Sequence, residues 1–321
     1  MELMQYEMIK PKIEEPRVSS SDGFINANTK PIDLTDLKHK SIIPVFAKDN
    51  ETTISHSQFI DCLQETAYQF FSGEQILTPA IRVSHPVKGR IPEAMEKPVH
   101  LLTENEKTIY YERMAFIIEI PSITDNVAGN DLSLCMGGVK AYNHENLYGK
   151  KSEERFKVFV GFQNKVCINL CIWTDGFKSD IRVRSQHELS SDIFRLLSQF
   201  DIRNQMSQMK ELPEFALSEN QFAQLVGRMR MYPFLPTDMK QNIPAIELGD
   251  SQINTVVKDY YQDESFCRDE VGNINLWKLY NLFTGANKSS YIDTFSDRLV
   301  SIQGFIQSLQ KAFEPSNSNW Y

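Results

Sequence analysis

The chain has 321 residues, enough for one large domain or two, and its 41% apolar and 24% charged residues are the composition of a soluble globular protein. A formal net charge of −8 and a pI near 5.4 exclude a generic polyanion binder, so any nucleic-acid surface has to be a local patch on an acidic body. No apolar run approaches the roughly 20 residues that cross a bilayer, and the start, MELMQYEMIKPKIEEP, lacks the basic stretch and apolar core of a secretory leader. The five cysteines are odd in number and irregularly spaced, which points to reduced thiols in the cytoplasm.

Residues 1–40 carry Pro11, Pro16, Pro31 and three consecutive serines without a period, and read as a mobile tail with one short helical piece around Leu34 to Lys38. The remainder, 41–321, reads as a single α+β domain with a sheet-rich part (41–185) and a helical part (186–314). Ile42 to Ala47 is an apolar piece suited to a sheet edge. Ser55 or Ser57 caps a helix to about Phe71, with Phe59, Cys62, Leu63, Thr66 and Phe70 on one stripe and Gly73 as its stop. Ile76 to Ser84 alternates as a strand, placed near an edge by Pro79. RVSHPVKGRIPEA then reads as a loop, broken by Pro86, Gly89 and Pro92. It gathers Arg82, Lys88 and Arg90 beside His85 without an acid, so it is either a phosphate contact or a solvated loop.

Thr103 caps a turn containing Glu104 and Glu106. Thr108 to Pro121 is a long strand with Met114, Phe116, Ile118 and Ile120 on one face and Ala115, Ile117 and Glu119 on the other. A polar linker, Thr124 to Asp131, leads to a strand over Leu132 to Tyr142. Gly137-Gly138 interrupts that strand and signals a bulge or the close approach of another part of the chain. The organising stretch is 156–184: a strand over Phe156 to Phe162, a turn at Gln163-Asn164-Lys165, and a strand over Val166 to Thr174 apolar on both faces. Asp175-Gly176 then predicts a two-residue hairpin turn into Phe177 to Arg184. Asn169 within the covered strand is either a satisfied structural amide or one that contacts a substrate or base.

From Ser185 the period changes from two to 3.6. Helices are predicted around Leu189–Phe200, continuing past Met206, and around Phe222–Met229 with Ser218 as cap. Others begin at Asp250 and Asn273, the latter stopped by Gly285. A last one, capped by Ser289 or Ser290, runs toward Phe313.

Motifs for chemistry are sparse, and none for a cofactor is present. Cys167 and Cys171 on one strand would lie roughly 13 Å apart, too far for a zinc ion that holds sulfur at about 2.3 Å. They read as buried thiols. Thr284 to Ser289 ends like a phosphate-binding loop but lacks its glycines and its preceding strand. Lys288 there could still hold a phosphate at a helix start. The acidic run Asp259, Asp263, Glu264, Asp269 and Glu270 reads as a solvated rim. Arg228-Met229-Arg230-Met231-Tyr232 places two cations and an aromatic at a helix end, either gripping a single strand or dividing between core and surface.

Several strings together resemble a family of uncharacterised proteins from plasmids and conjugative elements of Bacteroidota: HPVKGRIPEA (85–94), ERMAFIIEIP (112–121), GGVKAYN (137–143), GFQNKVCINLCIWTDG (161–176) and LWKLYNLFTGANKSSYID (276–293). A more distant likeness is to the phage/plasmid-like protein superfamily. It rests on Val166, Cys167, Asn169 and Leu170, and on Trp277, Tyr280, Asn281 and Thr284. The acidic and histidine residues that often follow the second string there are absent here. The resemblance implies a mobile-element accessory role, in handling entering DNA or countering host defence. On these grounds the expected function is non-catalytic binding of single-stranded DNA, or of a host DNA-processing or defence enzyme. Arg82, Lys88, Arg90, Arg182, Arg184 and Lys288 would contact phosphates, with Asn169 and Asn281 on bases. The alternatives are a protein-interaction module, and a metal-dependent nuclease using Glu119, Asp131 and Asp175.

Overall fold

The computed structural model describes residues 23–41, 54–142, 153–241, 243–245 and 247–314. In chain order its elements are β1 (Lys30–Ile32), α1 (Leu34–Lys40), α2 (His56–Phe70), β2 (Ala80–Val83), β3 (Pro86–Arg90), β4 (Lys107–Tyr111), β5 (Arg113–Val127), β6 (Asn130–Ala141), β7 (Glu154–Asn164) and β8 (Leu170–Val183). There follow α3 (Gln186–Gln199), α4 (Ile202–Glu211), β9 (Ala216–Leu217), α5 (Glu219–Met231), α6 (Thr237–Lys240), α7 (Asp250–Gln262), β10 (Ile274–Asn275), α8 (Leu276–Asn287) and α9 (Ile292–Ala312). The expected α+β class holds, with a strand-rich first half and a helical second half. β1, β2, β5, β6, β7 and β8 form one antiparallel sheet in that order, while β3–β4 and β9–β10 form two small ribbons.

Alternation along β5 explains how the sheet is covered. Met114, Phe116, Ile118 and Ile120 enter one core, and Ala115 and Ile117 enter a second on the opposite face. On the first face Phe59 of α2 packs 5.1 Å from Phe116 and 4.7 Å from Phe156, ring centre to ring centre. On the second, Ile292, Phe295 and Leu299 of α9 join Phe24 and Ile25. Gly137 and Gly138 are continuous strand, and the close-approach reading is the right one. A Cβ on Gly137 would meet the Phe159 ring at 2.6 Å from one side of the sheet, and one on Gly138 would enter the Phe59 ring on the other. Aromatic rings thus lie on β6 from both faces, which any side chain would prevent.

Several expectations are corrected. Residues 23–40 belong to the folded body: Phe24 and Ile25 are buried, β1 pairs with β2, and α1 extends the short helix foreseen there. Residues 1–22 and the apolar piece 42–47 lie outside the described residues. The basic loop is mostly strand, since Pro86–Arg90 pairs with Lys107–Tyr111. The polar linker is the end of β5, and its turn lies at Ala128-Gly129, both with positive φ. The predicted helix past Met206 breaks at Phe200, where Asp201 caps α4. Gly285 lies within α8 rather than after it, and the last helix is capped at Tyr291.

The largest correction is to the central hairpin. Asp175-Gly176 does not turn; β8 runs through it from Leu170 to Val183. Between the pairs Phe159↔Phe177 and Gly161↔Ile172 the register shifts, so Trp173–Gly176 bulges opposite Val160. Glycine is needed at 176 because a Cβ would run into the Val160 carbonyl and come within 3.1 Å of the Phe200 ring. The reversal lies earlier, between Asn164 and Leu170, where Ile168 takes a left-handed φ of 58°. Val166 therefore stands exposed at a turn instead of starting a buried strand.

Candidate functional site

The tight reversal between β7 and β8 packs against α8, and there the two strings behind the distant resemblance come together. The Asn164 backbone N–H donates to Asn169 O at 2.9 Å and its carbonyl accepts from Ile168 N at 2.8 Å, closing the turn. Its side-chain Oδ1 accepts from Val166 N at 2.9 Å, and its Nδ2 donates to Asn281 Oδ1 at 3.0 Å. Asn169 Nδ2 donates to the Asn281 carbonyl at 2.9 Å, and Asn281 Nδ2 donates to Trp277 O at 3.0 Å. All three asparagines are buried. Lys288 Nζ donates to the Cys167 carbonyl and so holds the strained turn from the far end of α8. Trp277 Nε1 donates to Asn130 Oδ1 at 2.7 Å, tying α8 to the start of β6.

This arrangement joins three of the eight predicted contact residues, Asn169, Asn281 and Lys288, but as a lock between sheet and helix. One acceptor is left over: Asn169 Oδ1 is buried without a partner among the described residues. Gly285 of α8 lies against this amide: a Cβ there would stand 3.6 Å from Asn169 Nδ2 and 3.8 Å from Oδ1. Cys167 lies beside the lock, its thiol 3.8 Å from Asn281 Oδ1. Burial pushes that thiol up to about 11, and burial raises Cys171 and Cys135 as well. Thiols so raised stay protonated at neutral pH and are poor nucleophiles and metal ligands. Cys167 lies in the turn, so the expected pairing of Cys167 with Cys171 along one strand face does not occur; of the two thiols expected to be buried, Cys171 is and Cys167 is half-buried.

The other five residues are dispersed. Arg82 lies on β2 and turns inward, its Nε donating to Thr29 Oγ1 at 3.1 Å; burial lowers its pKa. Arg90 caps the following turn by donating to the carbonyls of Lys97 at 2.5 Å and Met95 at 3.3 Å. Arg182, exposed on the outer strand β8, pairs with Asp180 at 2.6 Å, and Arg184, exposed just past its end, pairs with Glu153 at 3.1 Å. Lys88 projects into solvent from β3. The three carboxylates of the nuclease reading do not converge. Glu119 Oε1 accepts from Ser133 Oγ at 2.7 Å, Asp131 Oδ1 from Asn126 Nδ2 at 2.8 Å, and Asp175 Oδ1 from Gln205 Nε2 at 2.6 Å. Among the described residues no three His, Cys, Asp or Glu side chains group to hold a metal ion.

A second polar centre lies at the other end of β6 and β7. Lys140 is wholly buried, bonded to Glu154 and to the Ile54 carbonyl at 2.7 Å, with the Phe156 ring centre 4.3 Å and the Tyr142 ring centre 5.0 Å from its ammonium. Glu154 also accepts from the Ile54 N–H at 2.6 Å, fixing the entry to α2. His56, the first residue of α2, meets the Tyr111 carbonyl through Nε2 at 2.7 Å, and burial lowers its pKa to about 3. Neither Asn164 nor Lys140 stands out by motif. The available signal was a polar residue in an otherwise apolar run, as in GGVKAY and VGFQNKV.

No helix among the described residues is long and apolar enough to cross a membrane. Compared with curated proteins and with solved structures, the chain finds no match. A family match covers residues 8–321, nearly the whole sequence, and the chain belongs to the family described as "Domain of unknown function, B. Theta Gene description (DUF3871)".

Proposed function

We propose that this chain is a non-catalytic accessory protein of mobile genetic elements that acts in the cytoplasm by binding single-stranded DNA. The observation that favours binding over catalysis is that the groups the sequence offers for chemistry serve as structural members. Glu119, Asp131 and Asp175 each accept from a different neighbour, and of the thiols beside the turn Cys171 is buried and Cys167 half-buried. The mobile-element setting rests on the resemblance of the strings at 85–94, 161–176 and 276–293. Because most of the predicted phosphate contacts are engaged internally, the contact surface must lie elsewhere, and the net charge of −8 requires it to be local.

The test is a gel-shift and cleavage assay on single- and double-stranded DNA, with and without magnesium, across a salt series. The expected result is a shift of single strands that weakens steeply with salt, and no cutting. Magnesium-dependent cutting would overturn the non-catalytic reading, and the absence of any shift would remove DNA as the partner. A second reading, binding of a host DNA-processing or defence enzyme, draws support from the segment between β2 and β5. That segment leaves Val87, Met95, Val99 and Leu101 exposed.

A further inference from the structure

We infer that a single strand docks on the lip formed by the end of α5 and the turn into α6, through Arg228, Arg230, Tyr232, Phe234 and Lys240; the inference rests on the single-strand reading above and gives it a place. Leu225 and Met229 face the core, which turns Arg230 and Met231 outward at the last turn of α5. Pro233 and Pro236 then stiffen the chain, and Phe234 between them is 86% exposed, the most of any large apolar side chain among the described residues. Met231 and Met239 stand exposed in the same segment.

Among the described residues no carboxylate forms an ion pair with the cations of this lip. Arg230 bonds the neutral amide of Asn254. Lys240 Nζ donates to the Pro233 carbonyl at 3.0 Å and lies 5.4 Å from the Tyr232 ring centre. Neither these two nor Arg228 forms an ion pair with a described carboxylate, unlike Arg182, Arg184, Lys97 and Lys140. Over residues 228–240 the three cations face one acid, Asp238, on a chain whose net charge is −8. The C-terminal pole of α5 supplies only about half a negative charge.

An open ring beside cations that no described carboxylate pairs is what bases and phosphates bind: bases stack on the ring while the cations attract the backbone. A bilayer surface would ask for the apolar face of a longer amphipathic helix. Here α6 has four residues and α5 buries its apolar stripe, so one open ring, one half-covered ring and two thioethers remain. That is a platform for one or two bases.

The test measures fluorescence anisotropy of labelled oligothymidylate of about 16 nucleotides with the full chain and with Phe234→Ala and Arg228→Gln/Arg230→Gln. Circular dichroism and thermal melting serve as fold controls. The expected result is binding that Phe234→Ala weakens about 5- to 150-fold, and that the double variant makes less salt-dependent by about 0.7 in slope per cation removed. Wild-type binding unchanged in both variants would overturn the lip and leave the single-strand reading standing. No wild-type binding at low salt would overturn both. Phe234-dependent binding to phosphatidylserine-containing vesicles without oligonucleotide binding would also overturn the proposal and assign the lip to a lipid surface.

Discussion

Replacing Asn281 with alanine tests the lock between the β7–β8 turn and α8. Among the described residues the substitution removes the one partner of Asn164 Nδ2, a donor in a residue with no exposed surface. A stranded buried donor costs about 1–3 kcal/mol, and the space left by the amide adds about 1 kcal/mol. The bond from Asn281 Nδ2 to Trp277 O adds little, because a helix carbonyl already accepts a backbone N–H. The expected loss is therefore about 2–4 kcal/mol. With an unfolding entropy of about 2.1 cal/mol/K per residue over 321 residues, that lowers Tm by about 3–6 °C. Asn164→Ala should cost a similar amount, since it also releases Val166 N. The double variant should cost less than the two together, by a coupling of about 1–2 kcal/mol in urea titrations. Strict additivity would refute the amide bond, and with it the account of why the two strings meet.

Three further outcomes are expected. Gly138→Ala forces a methyl into the Phe59 ring and should destabilise the chain by about 1–3 kcal/mol, with Phe59→Leu recovering part of the loss in the same denaturation assay. Lys140→Met leaves Glu154 without its cation and should cost about 3–5 kcal/mol; adding Glu154→Gln should restore some of it. His56 is held neutral in the folded chain, with its pKa lowered to about 3 by burial, whereas the unfolded chain takes up a proton near 6.5. Its contribution is therefore complete above about pH 6.5 and shrinks as the pH falls toward 3. Between pH 7 and 5 the loss is about 2 kcal/mol, read from urea midpoints, and His56→Gln should flatten that dependence.

Local chemistry carried much of the fold. Apolar alternation in 113–120 foretold both faces of β5, and the 3.6-residue stripes in 189–200, 222–229 and 276–283 placed their helices, because each pattern reports burial within one element. Ser55 and Ser218 announced two helix starts through their side chains, each accepting an N–H three residues on. The candidate site was far less legible, since a side chain's partner is settled by elements distant in sequence.

By itself, then, the sequence determined the α+β class, the order of most strands and helices, the acidity of the chain, and the strings that carry the family likeness. Only the tertiary structure decided what its asparagines, cations and glycines do. Asp175-Gly176 looks like a turn because both residues tolerate one, yet Gly176 is there to let Val160 and Phe200 approach. Arg82, Arg90 and Lys288 look like phosphate contacts, yet each finds a carbonyl or hydroxyl of the chain itself. The physical reason is the same in both cases. Backbone preference and charge are properties of a residue, whereas hydrogen-bond partners and close contacts belong to pairs, and pairs from remote segments exist only once the chain has folded.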